Sequence, residues 1–140
     1  MNPFNHEQGV FVISFDKMEH MAHRLISPTQ LNKYIKYGHV GAVIQSKSGH
    51  IYTGINIDTA CSMGFCAEHC AIAEMIKQGE TQIIRIIAVN RHGNIIPPCG
   101  RCREFISQIN PENIHAEVKV TQEKILSLSE LLPFDWKNQY

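Results

Sequence analysis

The stretch that decides the fold is split in two: Cys66-Ala67-Glu68, and residues 98–103, which read P-C-G-R-C-R. Three thiolates, from Cys66, Cys99 and Cys102, can hold a zinc ion and leave one of its four tetrahedral positions open for water. An open position distinguishes a catalytic zinc site from a closed structural one. Glu68 is then the candidate proton carrier beside the metal. The pattern predicts one Zn²⁺ bound by these three cysteines.

Both halves of this pattern stand at the start of a predicted helix. Each is followed by apolar residues at helical spacing, in residues 67–75 and 105–109. Helix N-termini favour negative charge, which suits thiolates. In a regular helix Glu68 would point away from Cys66, so we place Cys66 at or before the N-cap of the helix, where both can face one cavity.

The rest of the chain alternates between strand and helix patterns. An amphipathic helix is predicted from Asp16, where Asp16 and Glu19 resemble a capping box. The predicted strands are residues 40–44 and 51–55, joined as a hairpin, then the nearly continuous apolar run 83–89 and an outer strand over 114–120. The helix after Cys66 ends at Gly79, and the one after Cys99 ends at Asn110. This alternation predicts an α/β layered sandwich.

Several of these motifs resemble the cytidine deaminase family, including its blasticidin S deaminase relatives. C-A-E with P-C-G-R-C-R is similar to the zinc deaminase signature. Residues 54–58 (G-I-N-I-D), 40–42 (V-G-A) and 131–133 (L-L-P) resemble further family segments, so the likeness covers roughly residues 17–136. It implies a three-layer α/β/α sandwich around a mixed five-stranded sheet. The domain would span residues 16–140, preceded by an arm of residues 1–15 that is either an added strand or flexible.

The resemblance also implies an activity: zinc-dependent hydrolytic deamination of a cytosine nucleoside, with Glu68 as general acid and base, and a place in pyrimidine salvage. Asn56, Asp58 and Ala67 would bind the substrate, although the family has glutamate where Asp58 stands. A homotetramer is implied, in which Trp136 occupies the place of an aromatic that completes a neighbouring subunit's site. Trp136 reads equally well as a core or interface residue.

Other departures from the family pattern leave alternatives open. The family's C-A-E-R has arginine where His69 stands, so His69, Arg101 and Arg103 are candidates to offset the charge of the thiolates. Alternatively, His69 closes a four-ligand structural zinc site in a non-catalytic binding module. Gly38 replaces the phenylalanine that stacks on the pyrimidine, and the ring of Tyr37 or His39 substitutes for it. The P-C-G-R-C-R segment, the missing stacking phenylalanine and the aspartate in place of the family's glutamate favour a blasticidin S-type deaminase as the alternative function.

Composition limits the kinds of binding partner and the cellular compartment that we expect. The 140 residues form one domain, with 13 basic and 13 acidic side chains, so the charge expected of a nucleic-acid binder is missing. No apolar run is long enough for a membrane span, and no signal peptide is evident. Five cysteines, three of them at metal-binding spacing, predict reduced thiols and a cytoplasmic protein, with Cys61 and Cys70 outside the ligand set.

Overall fold

The fold is built around one long hairpin, and the computed structural model describes it for residues 4–5 and 10–139. The strands in chain order are β1 (Phe4–Asn5), β2 (Val10–Phe11), β3 (Thr29–Gln30), β4 (Ile35–Ser46), β5 (Ile51–Thr59), β6 (Ile83–Asn90), β7 (Glu117–Lys119) and β8 (Ile125–Ser127). The helices are α1 (Phe15–Leu25), α2 (Ala67–Lys77) and α3 (Gly100–Ile109). Short 3₁₀ turns cover Ala60–Ser62, Pro111–His115, Ser129–Leu131 and Trp136–Gln139.

The main sheet is mixed, as predicted. Its strands lie in the order β5-β4-β6-β7-β8, and the two-residue β3 pairs with the beginning of β4 as a sixth, short strand. The pairs β5–β4, β4–β6 and β7–β8 are antiparallel, whereas β6 and β7 run parallel. A parallel pair needs a long crossover, and α3 with its adjoining loops supplies it.

Helices cover both faces of this sheet. Alternate residues of the central strands point to opposite faces. Val43 and Ile87 pack with α1 on one face, and Ile44 and Ile86 pack with residues of α2 and α3 on the other. These side chains are almost fully buried, and each such burial stabilises the fold by about 1.5–3 kcal/mol. The three-layer α/β/α sandwich is thereby confirmed.

The N-cap of helix α1 lies two residues earlier than the capping-box pattern predicted. Its N-cap is Ser14, whose Oγ accepts a hydrogen bond from the backbone N of Lys17 at 3.2 Å, so the expectation that Asp16 caps the helix was wrong. The reason is packing, because Phe15 is buried at the first helical position. The neighbouring Ile13 is also buried, and its N–H donates to Oε1 of Gln45.

The N-terminal arm is described only in part. Residues 10–11 form β2, which pairs with β1, while residues 1–3 and 6–9 lie outside the described residues. The boundary that we placed at residue 15 stays a prediction. Among the described helices, none is both long and apolar enough to cross a membrane.

The strand predicted over residues 114–120 is shorter than its alternation suggested. Residues 111–115 form a 3₁₀ turn and only Glu117–Lys119 are β7, with β8 pairing on its outer side. The buried side chain of Asn113 explains the turn. Its Oδ1 accepts from the backbone N of Ile83, and its Nδ2 donates to the backbone oxygens of Thr81 and Ile106. These bonds tie the end of α3 to the start of β6.

A close approach between α2 and β5 sets the position of the functional site. A Cβ on Gly54 would lie 2.4 Å from the backbone oxygen of Ala67 and 2.4 Å from the backbone N of Ala71. Only glycine permits this contact, since real Cβ atoms do not come within 3 Å of such neighbours. The small residues of α2 therefore bring its N-terminus directly over the sheet.

Candidate active site

The N-termini of α2 and α3 meet and bring the predicted metal ligands together. Cys66 is the N-cap of α2 and Cys99 the N-cap of α3, with Cys102 in the first turn. The sulfur of Cys99 lies 3.6 Å from that of Cys66 and 3.5 Å from that of Cys102. Zinc–sulfur bonds of about 2.3 Å at tetrahedral angles place sulfurs about 3.8 Å apart. The three thiols therefore fit a zinc ion in both chemistry and spacing.

The imidazole of His69 lies next to the sulfur of Cys102. Its Nδ1 lies 3.3 Å from the sulfur of Cys102, and the ligand atoms of Cys66, His69 and Cys102 all lie within 4.8 Å of one another. The imidazole stacks on Phe105, with ring centroids 4.5 Å apart. The structure thus offers two overlapping donor sets, one of three thiols and one that includes His69.

The thiols differ in their tendency to ionise. Burial raises the pKa of Cys66 and of Cys102, and the nearby Glu68 carboxylate raises that of Cys102 further. Burial acts in the same direction on Cys99, but the backbone N–H groups of Cys102 and Arg101 and the neighbouring thiols outweigh it and lower its pKa. Because ligands must be deprotonated, Cys99 is the readiest thiolate, and a bound cation would have to drive ionisation of Cys102.

His69 is held in its neutral form. Burial lowers the pKa of its imidazole, and the positive charge of Arg101 lowers it further. A neutral imidazole cannot offset thiolate charge as a cation would. Its Nδ1 can still exchange a hydrogen bond with the sulfur of Cys102, or donate a lone pair to a metal.

Glu68 is buried beside the thiols, with 4% of its surface exposed. Burial raises the pKa of its carboxyl, and a hydrogen bond with Cys102 offsets this in part. A raised pKa brings a carboxyl nearer to neutral pH, where a general acid/base group works best. Cys66 has extended backbone angles as the N-cap, so Cys66 and Glu68 both line one cavity.

The cavity in front of Glu68 has a volume of about 590 Å³, within the usual range for small-molecule sites. It brings together most of the residues that the sequence singled out. The residues that the sequence singled out and that line this cavity are His39, Asn56, Asp58, Cys66, Ala67, Glu68, Cys99 and Arg101. Of the two rings considered as substitutes for the stacking phenylalanine, His39 lines the cavity, whereas Tyr37 is not among the described residues that do so.

Asn56 has a structural role that the sequence did not reveal. Its Oδ1 accepts hydrogen bonds from the backbone N atoms of His39 and Val40, each at 2.8 Å. The β4–β5 register shifts here, between the pairs Tyr37–Ile57 and Gly41–Ile55. With the side-chain oxygen committed to the backbone, the amide nitrogen is the group of Asn56 that can bind a ligand, and it can only donate.

Six cavity residues were missed by sequence reasoning: Thr59, Ser62, Gly64, Phe65, Ile96 and Pro97. Phe65 is held opposite Ile57 by two backbone hydrogen bonds of 3.0 and 2.8 Å. Its only sequence signal was its place directly before Cys66. Ile96 and Pro97 directly precede the P-C-G-R-C-R segment, but no periodicity marks loop residues as cavity walls.

Arg103 and Trp136 lie elsewhere. The guanidinium of Arg103 donates to the backbone oxygens of Pro98 at 2.8 Å and of Leu131 at 3.2 Å, so it joins the start of α3 to the C-terminal segment. Trp136 is 54% exposed, and its Nε1 donates to Glu104 on α3 at 2.9 Å. Neither residue is among the described residues that line the cavity.

Comparison with known proteins shows which proteins this chain is similar to. Residues 16–123 match the family model described as the cytidine and deoxycytidylate deaminase zinc-binding region. A cytidine deaminase from Halalkalibacterium halodurans is 32% identical over 106 residues, which cover 71% of this chain and 80% of that protein. A blasticidin-S deaminase from Bacillus cereus is 34% identical over 83 residues, 53% of this chain and 59% of that protein. The chain matches only 32% of the length of a cytidine deaminase from Proteus mirabilis.

Solved structures share the fold. A cytidine deaminase from Mycobacterium tuberculosis superposes with a TM-score of 0.73 at 20% identity, covering 89% of this chain and 98% of that one. One from Bacillus anthracis gives a TM-score of 0.66 at 24% identity, covering 90% of this chain and 89% of that one. The expected architecture is confirmed by this likeness.

Proposed function

This chain belongs to the cytidine and deoxycytidylate deaminase zinc-binding family, and from that premise we propose that it hydrolyses the 4-amino group of a cytosine nucleoside. The products are the uracil nucleoside and ammonia. The observation that carries the proposal is the buried carboxyl of Glu68, which shares one cavity with Cys66 and Cys99 at the meeting point of two helix N-termini.

Cys66, Cys99 and Cys102 would hold the Zn²⁺. When bound in such a site, zinc acidifies water and so supplies the nucleophile at neutral pH. The chain's own contribution is the geometry of the three thiols, which the N-termini of α2 and α3 set. His69 remains beside Cys102 as a hydrogen-bond partner for its sulfur.

Glu68 moves the protons of the reaction. Its carboxylate takes one proton from the attacking water and delivers it to N3 of the cytosine ring. It then takes the second proton of that oxygen, which is now bonded to C4, and passes it to the 4-amino group, so that the C4–N bond breaks, the C4=O bond forms and ammonia leaves. Burial raises the pKa of Glu68, so the protonated form needed for delivery is more accessible than for an exposed carboxyl. The cavity also limits water around the reacting atoms because apolar side chains form much of its wall, among them Val40, Phe65 and Ile96.

The remaining cavity residues bind the substrate. Ala67 lies beside Glu68 at the start of α2, where it borders the base. Asn56 and Asp58 are two residues apart on β5, so their side chains lie on the same face of the strand. The amide nitrogen of Asn56 and the carboxylate of Asp58 contact the sugar. One donor and one acceptor on neighbouring positions suit a hydroxyl group, which can accept from the first and donate to the second.

Ammonia release from a panel of cytosine compounds tests this function. We expect cytidine and 2′-deoxycytidine to react, and free cytosine to remain unchanged because it lacks the sugar. A protein that contains zinc but releases ammonia from none of the panel would contradict the proposal and favour a non-catalytic zinc module.

A second candidate is deamination of blasticidin S, a cytosine nucleoside antibiotic. Three features of the chain favour it: Gly38 stands where the family has a stacking phenylalanine, Asp58 is shorter than the family's glutamate, and the exposed Arg101 lines the cavity. The same panel distinguishes the two. Preference for blasticidin S over cytidine by more than a hundredfold in kcat/KM, about 2.7 kcal/mol, would reverse the order of the candidates.

We also propose the cellular compartment, the pathway and the oligomeric state of the protein. The three thiols must stay reduced to bind metal, which suits a cytoplasmic protein and a place in pyrimidine salvage. We further propose a homotetramer that recognises a small molecule rather than nucleic acid. The exposed Trp136, together with the exposed Phe134, offers apolar surface near the C-terminus that a neighbouring subunit would cover.

A further inference from the structure

Two residues of the cavity keep a buried polar atom without a hydrogen-bond partner. Among the described residues, the unpaired buried side-chain atoms are Nδ1 of His39 and Oγ1 of Thr59, and both residues line the cavity of Glu68. Buried polar atoms are nearly always paired in folded proteins, and an unpaired one is costly. That both exceptions border the same cavity indicates a polar ligand group.

The position of His39 is built into the backbone. Residues 38–40 of β4 stand opposite Asn56 alone on β5, because Tyr37 pairs with Ile57 and Gly41 pairs with Ile55. Such a bulge re-aims side chains and leaves backbone N–H groups without partners in the ladder. Asn56 accepts from two of these N–H groups and thereby stabilises the bulge. The ring of His39 is held at the cavity by this arrangement.

Thr59 is the last residue of β5 and lines the cavity. It lies five residues along β5 from Gly54, which the first turn of α2 contacts; this is about 16 Å at about 3.3 Å per residue. Reaction at Glu68 puts the cytosine ring at the α2 end. The sugar portion of the substrate therefore extends along β5 towards Thr59.

From these positions we propose that His39 and Thr59 are specificity-determining residues that hydrogen-bond hydroxyl groups on the sugar portion of the substrate. To reach a ligand, each buried atom has to turn towards the cavity by rotation about a side-chain bond. The inference rests on the proposed function, and it extends recognition beyond Asn56 and Asp58. A hydroxyl group suits both residues, since it can donate or accept and so pairs with either tautomer of histidine and with the threonine hydroxyl.

Selectivity is the expected consequence. A site built to hydrogen-bond a substrate hydroxyl rejects the analogue without it, because the site's own polar atoms then stay unpaired. Cytidine should therefore be preferred over 2′,3′-dideoxycytidine, and part of this preference should depend on Nδ1 of His39 and Oγ1 of Thr59.

The test compares kcat/KM for cytidine and 2′,3′-dideoxycytidine in matched variants. Thr59→Val removes the hydroxyl at nearly constant shape, and Thr59→Ser keeps it. His39→Phe removes the ring nitrogens, and His39→Asn keeps a polar atom at the place of Nδ1. We expect the ratio to fall at least tenfold in Thr59→Val and His39→Phe, and to stay within about threefold of wild type in the other two. Equal ratios in all the proteins would overturn the inference.

Thermal unfolding without substrate separates recognition from a structural role. Since Oγ1 of Thr59 has no partner, Thr59→Val should melt at the same temperature as the wild type or above it. A melting temperature several degrees lower would mean that the hydroxyl supports the fold, and would count against the inference.

Failure of the inference can be told apart from failure of the proposed function. If the wild type deaminates both nucleosides equally well, the proposed role of His39 and Thr59 is wrong, but the proposed deaminase function is unaffected. If the wild type deaminates neither nucleoside, the role of His39 and Thr59 in binding is tested by the rise in melting temperature that each nucleoside produces. A larger rise with cytidine that disappears in Thr59→Val supports the pair, and no difference between the nucleosides overturns it.

Discussion

The sulfur of Cys102 lies 3.3 Å from Nδ1 of His69. This is hydrogen-bond distance for sulfur, and it is also close to the separation of two ligands on one zinc ion, which is about 3.6 Å for one sulfur and one nitrogen at tetrahedral angles. A hydrogen bond between these two side chains leaves the fourth position on the zinc open to water, whereas coordination by Nδ1 of His69 fills that position and closes the site.

The first prediction concerns this coordination. X-ray absorption on the zinc protein should show three sulfur ligands and one light atom, and the spectrum should be unchanged in His69→Asn. Loss of a nitrogen ligand at about 2.0–2.1 Å in that variant would instead identify His69 as the fourth ligand of a closed site.

The second prediction concerns zinc content. One tightly held zinc per chain is expected, and Cys66→Ser, Cys99→Ser and Cys102→Ser should each lose most of it because a thiolate ligand is removed. Cys61→Ser is the matched control, since Cys61 is exposed and is not among the residues of the cavity. Metal analysis after dialysis against a chelator measures the outcome; full zinc retention in any of the three variants would exclude that residue as a ligand.

The third prediction concerns Glu68. Glu68→Gln should keep its zinc and lose about 10²–10⁴-fold in kcat, the usual range for a general acid/base group. Glu74→Gln on the same helix is the control, because Glu74 faces solvent and pairs with Lys77 at 2.7 Å. Single-turnover ammonia release checks both. More than a tenth of the wild-type rate in Glu68→Gln would remove Glu68 from this role.

The fourth prediction concerns Asp58 and the choice of substrate. The shorter side chain of Asp58 should contact a sugar hydroxyl weakly or through water, so Asp58→Glu should lower KM for cytidine in a nucleoside-type pocket. In a blasticidin-type pocket the same change should impair turnover of that antibiotic and do little for cytidine. Measuring kcat/KM for both compounds on both proteins separates the two cases, with unchanged zinc content as the control.

The fifth prediction concerns acid stability. The Glu80 carboxylate accepts hydrogen bonds from Ser48, His50 and Tyr52. Burial acts to raise its pKa, but these bonds outweigh burial and lower the pKa from 4.5 to about 2. A group with a depressed pKa stabilises the fold above its unfolded pKa and loses this contribution as the pH falls through its folded pKa.

Glu80→Gln should therefore reduce the free energy of unfolding at pH 7 by about 1.5–3 kcal/mol, the range for hydrogen bonds to a charged group. Its deficit relative to the wild type should shrink as the pH falls from about 4.5 to about 2. Urea denaturation at several pH values measures this. Glu123→Gln, at an exposed turn, is the control, and a deficit for Glu80→Gln that is constant with pH would contradict the mechanism.

The sequence by itself determined the elements that periodicity and caps encode locally. The 67–77 helix after Cys66, the hairpin of β4 and β5, and the covered strand β6 follow from residue spacing. The two cysteine segments at helix starts identified the candidate metal ligands. Local patterns were weaker where packing competes with them. The burial of Phe15 moved the start of α1, and the buried Asn113 replaced part of the predicted outer strand with a turn.

Only the tertiary structure decided which residues share the cavity. His39 reaches it through a bulge that Asn56 stabilises from 17 residues away in sequence, and Thr59 and Phe65 reach it from opposite sides of a loop. The partners of a hydrogen bond between distant strands leave no periodic signal in either strand. The sequence could therefore name the chemistry of the site, whereas its walls, and the unpaired atoms of His39 and Thr59 in them, depend on contacts that exist only in the folded chain.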